Sequence, residues 1–379
     1  MKKIAVFHNL PSGGAKRSLY EWVKRLSKSF TIDLYIYSES SETYLDIRKF
    51  CRNVFLSENS FLSRPWNGIH HKVAGFFILA NESYKIASKI DSENYSWVFV
   101  HHDTYVQSPL LLRFLSTPSL YYCQEPFRRL ENGVGSLLKA QSWINLILRT
   151  LDRWAARKAS VVACNSHYSR LKIREAYNID PKVVHLGVDN KFFTPKSVEC
   201  ENYILSVGRV HPSKGHDFCI RVIGQLEAKQ RPSLVVMGDS TSNADYAKYL
   251  YDLANSEGVV LSIITVEERE LSNTYSRAKL VLCCQVFEPL GLSALEAICC
   301  HKYVIGVSEG GVLETIADDR VGKTLKRNIE LFSNEVGKFL SDQEFVYDHK
   351  FSDRYIKAKW TWGVSTEKII KISPVGGDK

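Results

Sequence analysis

Two carboxylates, Glu288 and Glu296, stand eight residues apart in a segment that changes from a strand to a helix. The apolar run 279–284 predicts the strand, and Pro289 and Gly291 mark the turn. Apolar residues then recur at helical spacing, so we expect the helix to begin near Gly291. At about 1.5 Å of rise per helical residue, the two carboxylates should lie roughly 10 Å apart. A sugar-diphosphate-ribose unit has that length, so Glu288 is expected to bind sugar hydroxyls and Glu296 ribose hydroxyls.

The turn between these carboxylates predicts a site for an anion. The first amides of a helix have no intrahelical acceptor, and the helix dipole is positive at that end. Leu290, Gly291 and Leu292 therefore lie where a diphosphate would bind. The alternative is an ordinary connection with one capping and one solvated glutamate. The Phe, Pro, Gly and Leu residues at their positions favour the anion site.

The segment 287–297 resembles the E-x7-E signature of the retaining GT-B glycosyltransferases of family 4. The segment 207–215 resembles the family's phosphate-binding turn, with Arg209 and Lys214 at the positions of its two cations, and 310–314 resembles its G-G-x-x-E turn. Near the N-terminus, Gly13 and Gly14 follow a predicted strand and resemble the glycine-rich loop that approaches the donor from the opposite domain. The resemblance covers nearly the whole chain in matching order.

The resemblance implies an α/β protein with the GT-B fold, in which two Rossmann-like, doubly wound domains face each other across a cleft. We place the N-terminal, acceptor-side domain at 1–186, the nucleotide-sugar domain at 187–355, and a helix that crosses back to the first domain at 356–379. The predicted strands are 3–8, 32–37, 97–101, 119–123, 160–164 and 182–185 in the first half, and 203–207, 233–237, 259–265, 280–284 and 303–307 in the second.

The implied activity is retaining transfer of a sugar from a UDP- or GDP-sugar to a hydroxyl of a saccharide. The acceptor is expected to be lipid-linked, as in polysaccharide or lipopolysaccharide synthesis. The chain contains no D-x-D sequence, so we expect a metal-independent reaction without a cofactor, in which Arg209 and Lys214 stabilise the leaving diphosphate. Two alternatives stay open: an inactive nucleotide-sugar-binding subunit, and an isomerase that acts on a nucleotide sugar.

Other candidate residues lie in the first half. His102 ends a predicted strand and resembles the family's histidine that reaches the donor sugar, but the adjacent His101 is an equal candidate for that position. The segment 121–129 resembles a Y-x-H-x-P-x-R acceptor-side motif, except that Gln124 stands where histidine is common. The possible acceptor-side cations are Lys16, Arg17, Arg128 and Arg129, of which the first two would place extra positive charge beside the cleft.

Length and composition agree with a globular protein of two domains. The 379 residues are 45% hydrophobic, which is enough for two cores. The N-terminal apolar run stops at a glycine turn after a few residues, so we interpret it as a strand and not as a secretion signal. Nine cysteines without C-x-x-C spacing favour reduced thiols in the cytoplasm.

Charge is distributed unevenly along the chain. Residues 1–200 carry 28 Lys and Arg against 17 Asp and Glu, whereas residues 201–379 carry 22 against 24. The segment 136–154 predicts a helix with an apolar face and a basic flank, and 61–80 mixes aromatic and basic residues in the same way. Such segments bind anionic membrane surfaces, although an ordinary core-facing helix is the equal alternative. We find no nucleic-acid recognition motif and expect no nucleic-acid partner.

Overall fold

The computed structural model describes residues 1–57, 59, 69–126, 139–342, 344 and 346–376. The chain divides into two compact units. The first unit comprises Met1–His185 and Trp362–Lys379, and the second comprises Leu186–Thr361. The boundaries expected from the sequence lay at residues 186 and 355.

A parallel sheet forms the centre of the first unit. Its strands are β1 Lys2–Asn9, β2 Phe30–Ile36, β3 Asn53–Leu56, β4 Trp97–Asp103, β5 Ser119–Tyr122, β6 Val161–Cys164 and β7 Lys182–Val183. Their order in the sheet is β3-β2-β1-β4-β5-β6-β7. The helices between them are α1 Gly14–Leu26, α2 Ile69–Asp91, α3 Leu111–Phe114, α4 Lys139–Ala156 and α5 His167–Tyr177.

The second unit is built in the same way. Its strands are β8 Tyr203–Val207, β9 Ser233–Met237, β10 Leu261–Ile264, β11 Leu280–Cys283, β12 Val304–Val307 and β13 Gly322–Leu325. Their order is β10-β9-β8-β11-β12-β13, again with parallel pairing. The helices are α6 His216–Gly224, α7 Ala244–Ser256, α8 Leu271–Arg277, α9 Leu292–Cys299, α10 Val312–Thr315, α11 Ile329–Ser341 and α12 His349–Lys359.

The central strands are apolar along nearly their whole length. Six consecutive residues of β1 from Ile4 to Asn9 are buried, as are the four residues of β11. Such continuous runs are typical of parallel strands that helices cover on both faces. The strand order reverses between β1 and β4 in the first sheet and between β8 and β11 in the second. Because the loops diverge at such a reversal, ligands of open α/β sheets bind there, beyond the carboxyl ends of the strands.

The C-terminal segment contains two helices, α12 and a second one, where the sequence predicted a single crossing helix at 356–379. The second helix, α13, is Trp362–Ile372 and belongs to the first unit. The break falls where the Val188 amide donates to the Trp360 carbonyl, at 2.7 Å. In the first unit, the Trp22 indole donates to the Ser365 hydroxyl at 3.0 Å, and this hydroxyl donates to the His185 carbonyl at 2.7 Å.

Most predicted strands are confirmed within two or three residues of their ends, but two strands were not predicted. Both are four-residue edge strands, β3 and β13, whose side chains are mostly exposed or half-buried. The predicted helix 136–154 corresponds to α4, although its residues 136–138 lie outside the described part. Of the segment 61–80, residues 61–68 lie outside it as well, and the rest belongs to α2. In the part of the chain that the structure describes, no helix has the length and apolar character needed to cross a bilayer.

Candidate functional site

The reversal point of the second sheet carries an ion pair between two predicted site residues. Lys214 follows β8 and Glu288 follows β11, and the Lys214 ammonium donates to the Glu288 carboxylate at 2.6 Å. Both side chains are about one-fifth exposed, at 19% and 24%. The structure therefore brings together a cation and a carboxylate that lie 74 residues apart in the chain. Arg209 precedes them in the same loop, and its side chain is exposed.

The loops after β8 and β11 also contact each other through the backbone. The Val286 amide donates to the Ser213 carbonyl at 2.9 Å. Gly215 has a φ of +67°, and a Cβ on it would lie 2.0 Å from the Cys284 carbonyl oxygen. Only glycine permits this approach, which explains why a glycine follows Lys214.

A buried histidine holds the turn that carries Arg209. His216 lies at the start of α6 and is fully buried. Its Nε2 donates to the Arg209 carbonyl at 3.1 Å, so its Nδ1 accepts from the Ser206 hydroxyl at 2.9 Å. Burial lowers the pKa of His216 to about 4, which keeps the ring neutral, and the Arg209 carbonyl, which can only accept, fixes this tautomer. The backbone at Arg209 is thereby tied to β8 and α6.

The G-G turn that follows β12 packs directly on the loop that carries Glu288. The Gly311 amide donates to the Glu288 carbonyl at 2.7 Å. A Cβ on Gly310 would lie 2.4 Å from the Glu288 carbonyl oxygen, and one on Gly311 would lie 2.1 Å from that of Pro289. Glycine is therefore required at both positions so that the backbone of the G-G turn can lie against the backbone of the loop that carries Glu288.

The side chain of Arg327 also supports the loop that carries Glu288. The Arg327 guanidinium donates to the carbonyls of Cys284 and Gln285, at 3.0 and 3.1 Å. It also forms a bidentate ion pair with Glu309, at 3.0 and 2.8 Å. Arg327 thus joins the end of β11 to the segment after β12, and its planar fork suits this double role.

The helix that follows the loop begins as predicted. Helix α9 starts at Leu292 with Gly291 as its N-cap, and no side chain caps its first amides. Leu290 is buried, whereas Leu292 is half-buried. Glu296 lies on the second turn, and its carboxylate accepts from the Tyr275 hydroxyl at 2.7 Å. Burial raises the pKa of Tyr275 well above 10, so the phenol keeps its proton and orients Glu296.

The first sheet distinguishes the two candidate histidines. His101 is fully buried and stacks on Tyr122, with ring centroids 5.5 Å apart, and it also contacts Trp22. Neither of its ring nitrogens has a hydrogen-bond partner among the described residues, and burial lowers its pKa well below 6.5. His101 is thus an aromatic core residue. His102 is half-buried, and burial lowers its pKa to about 4, so it is neutral.

The structure corrects the expectation for Lys16. This side chain is not a surface cation beside a cleft, because it is fully buried. Its ammonium donates to Glu42 at 2.5 Å, and the same carboxylate oxygen contacts the His8 ring at 2.8 Å. Burial lowers the pKa of Lys16, against the effect of Glu42. The charge of Lys16 is therefore neutralised inside the unit, which a one-dimensional pattern cannot show.

The remaining candidates of the first unit lie at or near its surface, or outside the described residues. Arg17 is half-buried, and its guanidinium donates to the Tyr44 hydroxyl at 3.2 Å. Gly13 and Gly14 are exposed where α1 begins. Gln124 donates to the Ser18 hydroxyl at 3.0 Å. Arg128 and Arg129 lie outside the described residues.

Two family sequence models match consecutive parts of this chain. The model described as Glycosyltransferase Family 4 matches residues 12–192, and the model described as Glycosyl transferases group 1 matches residues 188–359. The chain belongs to glycosyltransferase family 4. The fold of this family 4 protein is GT-B, as predicted. HepE of Anabaena, solved in complex with UDP and glucose, superposes with a TM-score of 0.73 over 98% of this chain and 99% of HepE, at 16% identity.

Curated relatives of the family 4 protein have several activities. The D-inositol 3-phosphate glycosyltransferase of Mycobacteroides abscessus is 30% identical over 43% of this chain and 40% of its own length. The N-acetylgalactosamine-N,N'-diacetylbacillosaminyl-diphospho-undecaprenol 4-alpha-N-acetylgalactosaminyltransferase of Campylobacter jejuni is 22% identical over 97% of both chains. The matched region spans about half the length of the first curated relatives.

Sequence reasoning missed three residues that position the site of the family 4 protein. His216 was detectable in principle, since it directly follows the predicted phosphate-binding turn. Tyr275 lies on α8 and Arg327 lies between β13 and α11, and neither belongs to a local motif. Their contacts with Glu296 and with the end of β11 depend on the packing of remote segments.

The packing of the G-G turn predicts a sharp difference between two Gly→Ala substitutions. Gly311→Ala should lower the melting temperature by roughly 2 to 10 °C, because the new methyl group clashes with the Pro289 carbonyl. Gly14→Ala is the control, since no atom outside its own helix and chain neighbours lies within 4 Å of the place that its methyl group would occupy. Differential scanning calorimetry measures both. Equal melting temperatures for Gly311→Ala and the wild type would contradict the proposed backbone contact.

Proposed function

We propose that this protein is a retaining, metal-independent glycosyltransferase that moves a sugar from a UDP- or GDP-sugar to a saccharide hydroxyl. The observation that carries the proposal is the Lys214–Glu288 pair at the β8/β11 reversal, beside the uncapped N-terminus of α9. A cation, a carboxylate and helix amides without a side-chain cap converge where an open α/β sheet binds its ligand. This combination suits a nucleotide diphosphate that bears a sugar.

Each site residue has a role in this scheme. The amides of Leu290, Gly291 and Leu292 bind the diphosphate, and Glu296, oriented by Tyr275, binds the ribose hydroxyls. Lys214 and Arg209 stabilise the negative charge that grows on the leaving diphosphate. Among the other candidates, Glu288 binds the donor sugar, while His102, Gly13 and Gly14 keep the donor-side roles that the family resemblance implies.

The environment of Glu288 disfavours a covalent glycosyl-enzyme intermediate. A carboxylate paired with an ammonium at 2.6 Å is a weak nucleophile, so we assign it to sugar binding and not to a covalent intermediate. We infer that the acceptor attacks from the face that the diphosphate leaves, and that a phosphate oxygen takes the acceptor proton. The absence of a D-x-D sequence supports a reaction in which protein cations take the place of a metal.

The donor and acceptor classes are supported by relatives. HepE was solved with UDP and glucose, and the name of the Campylobacter jejuni relative places its acceptor on diphospho-undecaprenol. We therefore propose a lipid-linked saccharide as acceptor, within polysaccharide or lipopolysaccharide synthesis at the cytoplasmic face of the membrane. Assays with UDP- and GDP-sugars test this assignment. They also separate transfer from mere nucleotide-sugar binding and from isomerisation.

The two carboxylates should affect different steps. Glu296→Ala should weaken UDP or GDP binding by about 1 to 3 kcal/mol, the value of hydrogen bonds to a charged acceptor. Glu288→Ala should reduce turnover more than nucleotide affinity, because it contacts the sugar. Calorimetry and initial rates measure these effects, and Glu330→Ala, an exposed residue of α11, is the control. If both site variants keep wild-type affinity and turnover while folded, the donor-site assignment is wrong.

The diphosphate cations should act mainly on turnover. Arg209→Ala and Lys214→Ala should each lower kcat by more than they raise the donor KM, since their contacts strengthen as the leaving group gains charge. Lys323→Ala breaks a comparable ion pair, with Glu335 at 2.9 Å, and should leave kcat unchanged. Activity should also persist in excess chelator. Loss of activity in chelator that magnesium or manganese restores would exclude the metal-independent mechanism.

The surface of α4 supports an anionic membrane as a partner. Arg149 and Arg153 are exposed, and Trp154 is 46% exposed with the Arg113 guanidinium 3.7 Å from its ring centroid. Each cation near an anionic surface contributes about 1 kcal/mol, and salt screens the attraction over about 8 Å. The side chains of residues 139–147 lie outside the described part.

Binding to vesicles that contain anionic lipid should therefore fall with salt and with Arg149→Glu/Arg153→Glu. Arg354→Glu/Lys357→Glu on α12 makes the same charge change in the second unit and should retain binding. Co-sedimentation at low and high salt measures both effects. Absence of vesicle binding by the wild type at low salt would exclude the membrane as a partner and favour a soluble acceptor.

A further inference from the structure

The reversal point of the first sheet contains a buried carboxyl group with one unpaired oxygen. Asp103 ends β4 and is 2% exposed. Its Oδ1 accepts from the Asn9 side-chain amide at 2.9 Å and from the Tyr105 backbone amide at 2.8 Å. Its Oδ2 is buried and has no hydrogen-bond partner among the described residues. Buried polar atoms are nearly always paired, so this exception requires a physical reason.

An irregularity of the sheet places Asp103 there. β1 and β4 pair in register up to Phe7 and Val100, and the next pair is Asn9 with Asp103. His101 and His102 therefore lie opposite the single residue His8, which is the arrangement of a β-bulge. Bulges occur next to active sites, where they redirect a side chain. Here the bulge sets Asp103 against Asn9 across the β1/β4 reversal, where open α/β sheets bind ligands.

Within the described part of the chain, the surroundings of Asp103 contain no compensating charge. Burial raises the pKa of Asp103 to about 7, against the opposing effect of the hydrogen bonds from Tyr105 and Asn9. The titratable groups that face it are the phenols of Tyr37, which directly follows β2, and of Tyr105. Burial raises the pKa of both phenols, to about 12 for Tyr105, so they stay neutral, as does the adjacent His102.

The segment that follows the carboxyl is a turn and not a strand. The Asp103 amide donates to the Gln107 carbonyl at 3.3 Å, and the Tyr105 amide donates to the Asp103 carboxylate. Such a turn can adjust around a ligand without loss of strand pairing. A hydroxyl donor is the group that Oδ2 lacks.

We propose that Asp103 is a substrate-positioning residue whose Oδ2 accepts a hydrogen bond from a hydroxyl of a sugar substrate. This inference rests on the proposed function and adds to it a contact in the first unit. The chemistry of the contact is the same for the donor sugar and for the acceptor saccharide, and the experiment distinguishes the two. A hydroxyl that donates to the ionised carboxylate stabilises that form. Sugar binding should therefore strengthen as the pH rises from 6 to 8.

The test measures sugar binding without the need for turnover. The probes are UDP-glucose, GDP-mannose and a panel of methyl glycosides, followed by saturation-transfer NMR at pH 6 and pH 8. Asp103→Ala should weaken binding of at least one sugar about ten-fold. Asp103→Asn, which keeps the shape and the bonds from Asn9 and Tyr105, should bind equally at both pH values. A loss that affects a nucleotide sugar assigns the contact to the donor, and one that affects a methyl glycoside assigns it to the acceptor.

A matched control separates this role from a structural one. Asp152 is also 2% exposed in the first unit, but its two oxygens accept from the Ser108 amide and the Tyr177 hydroxyl. Asp152→Asn should lower stability and leave the pH dependence of sugar binding unchanged. The proposal is overturned if Asp103→Asn retains the wild-type pH dependence, if Asp103→Ala retains wild-type affinity, or if the wild type binds no sugar. Sugar binding without transfer would instead refute the proposed function and leave this inference standing.

Discussion

The reversal of strand order at the middle of each parallel sheet is the constraint on which both candidate sites depend. Strands β1 and β4, and likewise β8 and β11, lie side by side while their connections run to opposite faces. Residues at the carboxyl ends of these strands, or in the loops that follow them, therefore meet without a covering helix. Lys214 and Glu288 meet in this way in the second sheet, and Asn9 and Asp103 in the first. Each pairing joins residues more than seventy positions apart in the chain.

The carboxylates at the two reversal points differ in whether a cation lies beside them. In the second unit the carboxylate of Glu288 has a cation at 2.6 Å and stays partly exposed, so its charge costs little before a ligand arrives. In the first unit Lys16 and Glu42 form a buried pair, whereas Asp103 has no cation beside it among the described residues. A buried carboxyl without a cation is held closer to its neutral form. The same fold thus provides one carboxylate paired with a cation and one, without a cation beside it, whose ionisation depends on its surroundings.

Most of the framework could be predicted from the sequence because it rests on local signals. Central strands such as β8 and β11 are continuous apolar runs, and the start of α9 is marked by Pro289 and Gly291. The edge strands β3 and β13 have no such run, since they are covered on fewer sides. The roles of Tyr275, Arg327 and Asp103 could not be predicted either, because each is defined by a partner in a remote segment. For Lys16 the sequence prediction was wrong. A charged residue after a glycine turn indicates an exposed position, and only the fold shows that Lys16 is buried against Glu42.

The loop that carries Glu288 is fixed almost wholly through main-chain atoms. Gly311 and Arg327 bond to its carbonyls, and the Val286 amide bonds to the Ser213 carbonyl. The side chain of Val286 takes no part in these bonds and is 38% exposed, whereas Phe287 has a φ of +47°, a backbone conformation that few side chains adopt without strain. Val286 can therefore be substituted while the loop keeps its path, but the backbone conformation of Phe287 limits the residues that fit there. A loop fixed in this way can change an exposed side chain near Glu288 without a compensating change elsewhere in the domain.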